Sequence, residues 1–428
     1  MTTVSGQRPT RIRHIVLWLT VILYGITYMD RVVMSAAVPS IQKEFGFSTI
    51  TMGWILASFQ FAYAIFNIPS GWMGDRIGPR RALTLVVVWW SAFTALTAAS
   101  FNATSMIICR FLFGVGEAGA FPIATRSLSH WMLPAERGWA QGVTHAGSRL
   151  GGALTPALVA AIILAWGWRA PFLIFAVFGV IWGIVWYQYY RDKPDEHASV
   201  NQAERDLIRN ALNRKARPNQ DIPWGQILSN QQTWLLSAMY VCYGYSIGIY
   251  LSWFPKYLVD THNMDLAQMG LYASAPLLAG VAGDIIGGLW SDHLVKRTNL
   301  TLGRRIVAIV GFAVAGASIL LAINIANPVA SVAVFALAVF SLELTVGVSW
   351  AVALDIGDEF AGSVSSIMNT AGNLGATVSA AGTAYLVTAY SWNTAFSVLA
   401  VLGFIAAALF LRIDASKRVY HDVEPAAH

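Results

Sequence analysis

Twelve apolar runs, separated mostly by short polar connections, make up most of the chain. A helix that crosses the hydrocarbon core of a bilayer needs about twenty predominantly apolar residues. The runs lie near 15–39, 51–74, 82–100, 104–131, 138–165, 168–190, 232–258, 267–293, 304–325, 328–354, 361–389 and 391–412. Since each run is long enough to span a membrane, the pattern predicts an all-α integral membrane protein with twelve transmembrane helices.

One long polar segment divides the runs into two sets of six. Residues 191–231 are rich in charged side chains, and their stretch NQAERDLIRNALNRK, at 201–215, is typical of a surface helix. We therefore predict two six-helix halves joined by a loop. The predicted divisions are an N-terminal half over 1–190, a cytoplasmic central loop over 191–231, a C-terminal half over 232–413 and a cytoplasmic tail over 414–428.

The composition also favours a protein dissolved in lipid. Only 12% of the residues are charged and 56% are hydrophobic, with a mean hydropathy of +0.55, whereas an average soluble domain has about 25% charged residues. These values exclude a soluble enzyme, a nucleic-acid binder and a disordered scaffold. The two cysteines, Cys109 and Cys242, lie in apolar runs, and no Cys/His cluster has metal-ligand spacing. We therefore expect no metal and no cofactor.

The positions of Lys and Arg predict the orientation of the chain. If both termini are cytoplasmic, cytoplasmic segments hold 21 of the 28 Lys and Arg residues, and the opposite loops hold only Lys43, Arg169 and Lys256. An excess of this kind is typical of cytoplasmic loops. We expect cytoplasmic termini in a plasma membrane, in particular a bacterial inner membrane. The net charge of +6 then reflects topology rather than affinity for nucleic acid.

An internal repeat supports the division into halves. Residues 71–81 read GWMGDRIGPRR, and residues 288–305 read GLWSDHLVKRTNLTLGRR. Both place glycine, then aspartate, then a basic cluster after the second span of a half. Asp75 and Asp292 are 217 residues apart, close to half the chain. Two related six-span halves, repeated in parallel, are typical of secondary transporters.

The residues of this repeat resemble a known family. GWMGDRIGPRR is similar to the loop signature of the major facilitator superfamily. TYMDRVVMSAAVPSIQKEFGFS in the first run, CRFLFGVGEAGAFPIATRSLSHWMLPAERG in the fourth and SSIMNTAGNLGA in the eleventh resemble its anion:cation symporter family. That family includes bacterial carriers of hexonates, hexuronates, glucarate, tartrate and phthalate, and the sialin-like transporters of animals. The resemblance implies the major facilitator fold, with two pseudo-symmetric six-helix halves, and a transporter rather than an enzyme.

Four of the ionisable side chains inside predicted spans of the N-terminal half are the leading candidates for function. Asp30 and Arg31 are in the first span, and Arg110 and Glu117 are in the fourth. A charge at the centre of a span costs about 2.5–3.5 kcal/mol on insertion scales, so each is a candidate for function. Arg110 and Glu117 are two helical turns apart, about 10.5 Å along one face. This pattern predicts a central cavity lined by two cations and two carboxylates; the alternative is structural ion pairing.

The chemistry that these residues suggest is proton-coupled transport of an anion. Arginine matches the two oxygens of a carboxylate and does not lose its proton. A cavity carboxylate that is charged when the site is empty and protonated when the anion is bound would couple the two fluxes. The resemblance implies the same roles, with Asp30 and Glu117 binding protons and Arg31 and Arg110 binding the anion.

Further candidates surround these four residues. Tyr28 shares a helix face with Arg31 at spacing i, i+3, and Ser148 stands where relatives often carry glutamine. Each candidate has an ordinary helix-packing alternative. The candidates for substrate contact are Tyr28, Tyr63, Ser148, Tyr250, Asn369 and Asn373. The candidates for additional charge sites are Arg149, Asp284 and Glu343, where either carboxylate would be a proton site or a partner of Arg149.

A separate set of charges follows the spans at their predicted cytoplasmic ends. These side chains are expected to hold one conformer through hydrogen bonds and ion pairs rather than to bind substrate. They are Asp75, Arg76, Arg80, Arg81, Glu136, Arg137 and Asp292.

The leading hypothesis is a monomeric importer that carries an organic anion, of the sugar-acid type, with protons by alternating access. One alternative has the same fold: an exporter, an exchanger or a sodium-coupled carrier of another carboxylate such as tartrate or phthalate. The other is a membrane sensor or a membrane enzyme. Against an enzyme, the sequence has no nucleophile–base pairing, and against a sensor, the loops contain no extra domain.

Overall fold

The computed structural model describes residues 8–133, 136–213, 224–357 and 361–419, and within these ranges it contains helices and no strand. The helices are α1 Ile12–Phe45, α2 Thr49–Ile77, α3 Pro79–Ala98, α4 Ala103–Glu117, α5 Ala120–Trp131, α6 Arg137–Trp166, α7 Ala170–Tyr189, α8 Gln202–Asn213, α9 Trp224–Ser229, α10 Gln231–Ser252, α11 Phe254–His262, α12 Leu266–Arg297, α13 Leu300–Ala322, α14 Pro328–Gly357, α15 Ala361–Ala389 and α16 Trp392–Arg412. The surface helix predicted at 201–215 corresponds to α8.

The predicted transmembrane helices are confirmed, six before α8 and six after α9. Over the described residues, eleven helical segments are long and apolar enough to cross a membrane, with α4 and α5 together forming one of them. The twelfth, α15, has 29 residues, about 43 Å of helix. It is less apolar because it is rich in serine, threonine and glycine and contains Asn369 and Asn373. Its partners are α10 and α2.

The fourth predicted span is not one helix. It breaks between α4 and α5 because Pro122 has no backbone N–H to bond to the carbonyl of Ala118, four residues earlier. The side-chain amide of Asn67 donates to that carbonyl instead, at 3.1 Å. The break leaves Glu117 as the last residue of α4.

The seventh predicted span is also shorter than expected. The apolar run covers 232–258, but α10 ends at Ser252 and the separate helix α11 begins at Phe254. Pro255 lies in the first turn of α11, where a missing N–H is tolerated. The indole of Trp253, at the junction, donates to the carbonyl of Ala380 at 2.9 Å and anchors the turn to α15.

Glycines allow helices within each half to approach very closely. A Cβ atom added at Gly151 of α6 would lie 2.5 Å from the carbonyl oxygen of Gly25 in α1. Gly244 of α10 lies against the backbone of Gly372 in α15 in the same way. Backbone contact of this kind is how membrane helices associate without a hydrophobic driving force.

The apolar core shows how the two halves meet. We call the end where α1 begins and α16 ends the terminal face, and the opposite end the distal face. One buried cluster combines Val33 and Ile55 of the N-terminal half with Trp253 and Phe335 of the C-terminal half. Two further clusters draw their described residues from one half each and from the central segment next to it, which contributes Val200 to one and Ile227 to the other. The shared cluster lies towards the distal face.

Helix crossings at the distal face complete the closure. A Cβ atom added at Gly53, near the start of α2, would lie 3.2 Å from the carbonyl oxygen of Ala380 in α15. One added at Gly270, near the start of α12, would lie 2.8 Å from the carbonyl oxygen of Pro156 in α6. The halves are therefore in close contact at the distal face.

Two adjacent glycines of α12 provide a matched test of the close packing between helices of the same half. Gly287 faces α14, and its added Cβ would lie 2.6 Å from Leu344 Cα, whereas one added at Gly288 would meet nothing within 4 Å. Gly287→Ala should lower the free energy of unfolding by about 1–3 kcal/mol through overpacking. Gly288→Ala should leave it unchanged or raise it slightly, because alanine favours helix. Thermal unfolding of the two variants in detergent measures the difference, and equal midpoints would contradict the prediction.

Candidate functional site

The four charged residues predicted in the N-terminal half form one buried cluster, which we call the N-half charge cluster. Asp30 and Arg31 lie in the middle of α1, and Arg110 and Glu117 lie on α4. The Nε of Arg31 donates to Oε1 of Glu117. Asp30, Glu117 and Arg110 are almost completely buried. The charges of Arg110 and Glu117 act on the Asp30 carboxyl group, so the four side chains form one electrostatic unit.

Many polar atoms of this cluster lack a hydrogen-bond partner among the described residues. They are both carboxylate oxygens of Asp30, Oε2 of Glu117, Nη2 of Arg31, and Nε and Nη1 of Arg110. A buried polar group without a partner costs about 1–3 kcal/mol, and a charged one costs more. The cluster therefore retains both donors and acceptors that a bound anion or a proton can satisfy.

Aromatic rings surround the two guanidinium groups of the cluster. Their distances from guanidinium carbon to ring centroid are within the range of cation–π contacts. For Arg31 they are 4.4 Å to Tyr63, 5.2 Å to Tyr28, 5.4 Å to Phe121 and 5.7 Å to Phe59; for Arg110 they are 4.4 Å to Phe113 and 5.0 Å to Phe59. Phe59 contacts both cations and was not predicted, although its i, i+4 spacing to Tyr63 is visible in the sequence.

The three further charge candidates form a second cluster, which joins the halves. Arg149 of α6 bonds through Nε to Asp284 of α12 at 2.9 Å, and its Nη1 lies 2.5 Å from Glu343 Oε2 of α14. The hydroxyl of Tyr243 in α10 donates to Oε1 of Glu343 at 3.1 Å. Both carboxylates are therefore partners of Arg149, one of the two roles left open by the sequence. We call these four residues the inter-half cluster.

A second row of aromatic residues supports this cluster. The ring of Tyr240 stacks on Tyr243 with centroids 4.9 Å apart, and the indole of Trp350 donates to the Tyr240 hydroxyl at 3.0 Å. Tyr240, Tyr243 and Trp350 were missed at the sequence level because their runs are uniformly apolar and aromatic.

Tyr28 connects the two clusters. Its ring lies 5.2 Å from the Arg31 guanidinium and also contacts α6, where a Cβ atom added at Gly152 would lie 3.0 Å from Tyr28 Cδ1. Gly152 is one turn beyond Arg149, and Tyr28 interacts electrostatically with Arg149. The N-half charge cluster and the inter-half cluster therefore border the same central region.

The other predicted contact residues lie in different surroundings. Asn369 is half-buried on α15, and the amide of Asn373 donates to the Asn369 carbonyl at 2.9 Å. The hydroxyl of Ser148 is buried and donates to the His145 carbonyl in its own helix at 2.7 Å. Tyr250 lies in the distal apolar core against Phe254, with ring centroids 5.5 Å apart. Tyr63 is buried beside Arg31.

Charges at the terminal face of the N-terminal half bond to other parts of that half or to the central segment. The backbone N–H of Arg80 donates to Asp192 at 2.9 Å. Glu136 accepts from Arg13 at 3.1 Å, a partner that the sequence did not suggest. Arg76 and Arg81 are exposed. The side chains of Asp75 and Arg137 lie outside the described residues.

The C-terminal half has a corresponding network. Arg304 of α13 bonds to Asp292 at 2.8 Å and to Asp355 at 3.2 Å, and it also donates to the Ser291 hydroxyl at 3.0 Å. This network joins α12, α13 and α14 within one half. A bond inside one half fixes the shape of that half rather than the contact between halves.

The chain is similar to several transporters. It is 38% identical over 384 residues to a "Probable sulfoacetate transporter" of Cupriavidus necator, which covers 89% of each chain. It is 32% identical to the "Hexuronate transporter" of Bacillus subtilis, covering 82% of this chain and 83% of that one. It is 31% identical to a "Probable L-galactonate transporter" of Escherichia coli, covering 94% and 89%.

The fold is similar to that of a solved transporter. A bacterial homologue of the human lysosomal transporter Spinster, crystallised in an inward-facing and unoccupied conformation, superimposes with a TM-score of 0.78. It is 16% identical in sequence, and the match covers 95% of this chain and 98% of that one. Residues 20–380 match the Major Facilitator Superfamily. The chain therefore belongs to the Major Facilitator Superfamily and is a multi-pass membrane transporter.

Proposed function

We propose that the chain imports a small organic anion of the sugar-acid type together with protons, by alternating access. The observation that carries this proposal is the N-half charge cluster, in which two arginines and two carboxylates are buried together in one half. Retaining four charges at membrane depth is costly. A role in binding both an anion and protons accounts for that cost.

The arginines are suited to hold the anion. Nη2 of Arg31 and Nε and Nη1 of Arg110 are free donors among the described residues, and a guanidinium donates to carboxylate oxygens in a matching geometry. The rings of Tyr28, Tyr63 and Phe59 fix the orientation of these groups. Tyrosine hydroxyls and the amide of Asn369 are suited to the hydroxyl groups of a sugar acid.

The charge balance favours proton coupling. When all groups are ionised, the N-half charge cluster is neutral and the inter-half cluster carries one excess negative charge. The central region as a whole then repels an anion. Protonation of Asp30 or Glu117 makes the N-half charge cluster positive and the central region as a whole neutral, and by linkage a bound anion favours protonation to the same extent. Asp30 and Glu117 are the proposed coupling residues.

The proposal also assigns an orientation in the membrane. We assign both termini to the cytoplasm from the excess of Lys and Arg there, in a bacterial inner membrane. The halves are in close contact at the distal face, and we propose that the terminal face, which we assign to the cytoplasm, is the side on which this conformer opens. If more protons than anion charges enter, the membrane potential adds about 2.3 kcal/mol per charge per 100 mV. Since both clusters belong to one chain, a monomer is sufficient.

A second candidate substrate comes from the comparisons. The relative that is 38% identical over 89% of both chains is described as a probable sulfoacetate transporter. Sulfoacetate is a small organic anion that arginine also recognises, but it lacks sugar hydroxyls. Glucarate, tartrate and phthalate remain alternatives, as do export, exchange and sodium coupling.

Uptake into proteoliposomes tests the proposal. The purified protein is supplied with radiolabelled hexuronate, galactonate, glucarate, sulfoacetate, tartrate and phthalate, under an imposed pH gradient or sodium gradient. We expect accumulation of at least one sugar acid that depends on the pH gradient. Accumulation of sulfoacetate alone would support the second candidate, and absence of anion uptake under both gradients would reject the proposal.

Glu117→Gln should abolish accumulation driven by protons but retain exchange of internal for external anion. A glutamine still accepts a hydrogen bond from Arg31 but cannot bind a proton. Glu44→Gln is the matched control, because Glu44 pairs with Arg169 at 2.7 Å in an exposed position near the distal face. Full accumulation by the Glu117 variant would show that Glu117 is not a coupling residue.

Arg110→Lys should raise the anion concentration needed for half-maximal exchange about 10–100-fold. Lysine retains the charge but loses the guanidinium geometry, and a hydrogen bond to a charged group contributes about 1.5–3 kcal/mol. Arg169→Lys, at the exposed pair, should leave the value unchanged. Exchange assays over a range of anion concentrations measure this effect, and equal values in both variants would argue against direct anion binding by Arg110.

A further inference from the structure

Glu343 occupies a niche built for a buried carboxyl group. Its side chain is 1% exposed, and two glycines of α12 make room for it. A Cβ atom added at Gly280 would lie 3.0 Å from Glu343 Cγ, and one added at Gly283 would lie 3.2 Å from Glu343 Cβ. Tyr243 donates to one carboxylate oxygen at 3.1 Å, and Arg149 lies beside the other. The side chain is therefore held in one position by three helices.

The charges around Glu343 do not balance. Arg149 carries one positive charge and is shared by two carboxylates, Asp284 and Glu343. Like charges that share a partner disfavour simultaneous ionisation. Asp284 is 23% exposed, whereas Glu343 is 1% exposed. Water can stabilise the charge of Asp284, so the excess proton belongs on the more deeply buried Glu343.

The charged and titratable groups that interact with Glu343 come from three helices, α6, α10 and α12. Among the described residues, the helices α13 and α15, which also pack against α14, contribute no titratable side chain to this cluster. The groups that interact with Glu343 are Arg149 of α6, Asp284 of α12, and Tyr240 and Tyr243 of α10. His145 of α6 and Tyr28 of α1 lie next to these groups.

We propose that Glu343 carries a coupled proton in addition to those of the N-half charge cluster, and that this proton loosens the link between the halves. The proposal rests on the proposed function. Among the described residues, the ion pairs that join the two halves all involve Arg149. Protonation of Glu343 converts one of them into a hydrogen bond from the Arg149 guanidinium to an uncharged carboxyl group, while the bond between Asp284 and Arg149 remains. The movement of the halves and the loading of the proton are thereby linked.

Transport stoichiometry tests the proposal. In proteoliposomes with a fixed anion gradient, the opposing pH gradient that stops net flow gives the number of protons per anion. We expect the ratio to fall by one in Glu343→Gln and to stay at the wild-type value in Glu343→Asp, which keeps a carboxyl group, and in the exposed control Glu44→Gln. A wild-type ratio in Glu343→Gln would overturn the proposal.

A second measurement does not require transport. Infrared difference spectra, recorded on the purified protein with and without the transported anion, report carboxyl groups that gain or lose a proton. We expect a protonated-carboxyl band in the wild type that weakens in Glu343→Gln and persists in Glu343→Asp. A band of unchanged intensity in Glu343→Gln would overturn the proposal even if that variant does not transport.

The two levels of inference fail in different ways. If the wild type moves its anion without protons, the proposed function is wrong and this inference falls with it. If the wild type is proton-coupled and Glu343→Gln shows the same ratio and the same infrared band, only the role of Glu343 is wrong.

Discussion

The ion pair between Arg31 and Glu117 is the interaction on which the rest of the central region depends. Each partner would be costly to keep charged alone at membrane depth, and removing one partner of a buried pair typically costs about 3–5 kcal/mol. The pair therefore fixes α1 against α4. Glu117 is the last residue of α4, because Pro122 interrupts the helix and Asn67 bonds to the freed carbonyl of Ala118. The local break in the helix and the buried ion pair therefore meet at the same residue.

The contacts inside each half differ in kind from the contacts between the halves. Glycine contacts such as Gly25 with Gly151 let α1 and α6 touch along their backbones, and networks such as Arg304 with Asp355 bind helices inside one half. The halves themselves share an apolar core towards the distal face and the ion pairs of Arg149. Apolar surfaces can separate and meet again because their contacts need no particular direction. The ion pairs of Arg149, in contrast, hold the two halves in one relative position. The structure is therefore suited to rocking of two rigid halves.

The sequence predicted the spans and the N-half charge cluster well, because both depend on local properties. A run of twenty apolar residues, or an arginine inside one, is visible without tertiary information. The break after Glu117 has a local cause, Pro122, that is visible in the sequence, whereas the bond from Asn67 to the freed carbonyl of Ala118 joins residues 51 positions apart and is not. Tyr250, a predicted contact residue, lies in the distal core, and its role stays a prediction. The roles of the site residues remain predictions.

The two clusters differ in net charge, and this difference gives them different roles in the proposed function. The N-half charge cluster is neutral when fully ionised, so it can accept an anion once a single carboxylate is protonated. The inter-half cluster, with Asp284 and Glu343 on Arg149 alone, is negative and opposes an anion until it gains a proton. Tyr28 borders both clusters, so they adjoin the same central region. Under the proposed function, an anion held by Arg31 and Arg110 adds negative charge to this region and so favours protonation of carboxylates in the opposite half, and binding in one half then changes the strength of the link between both.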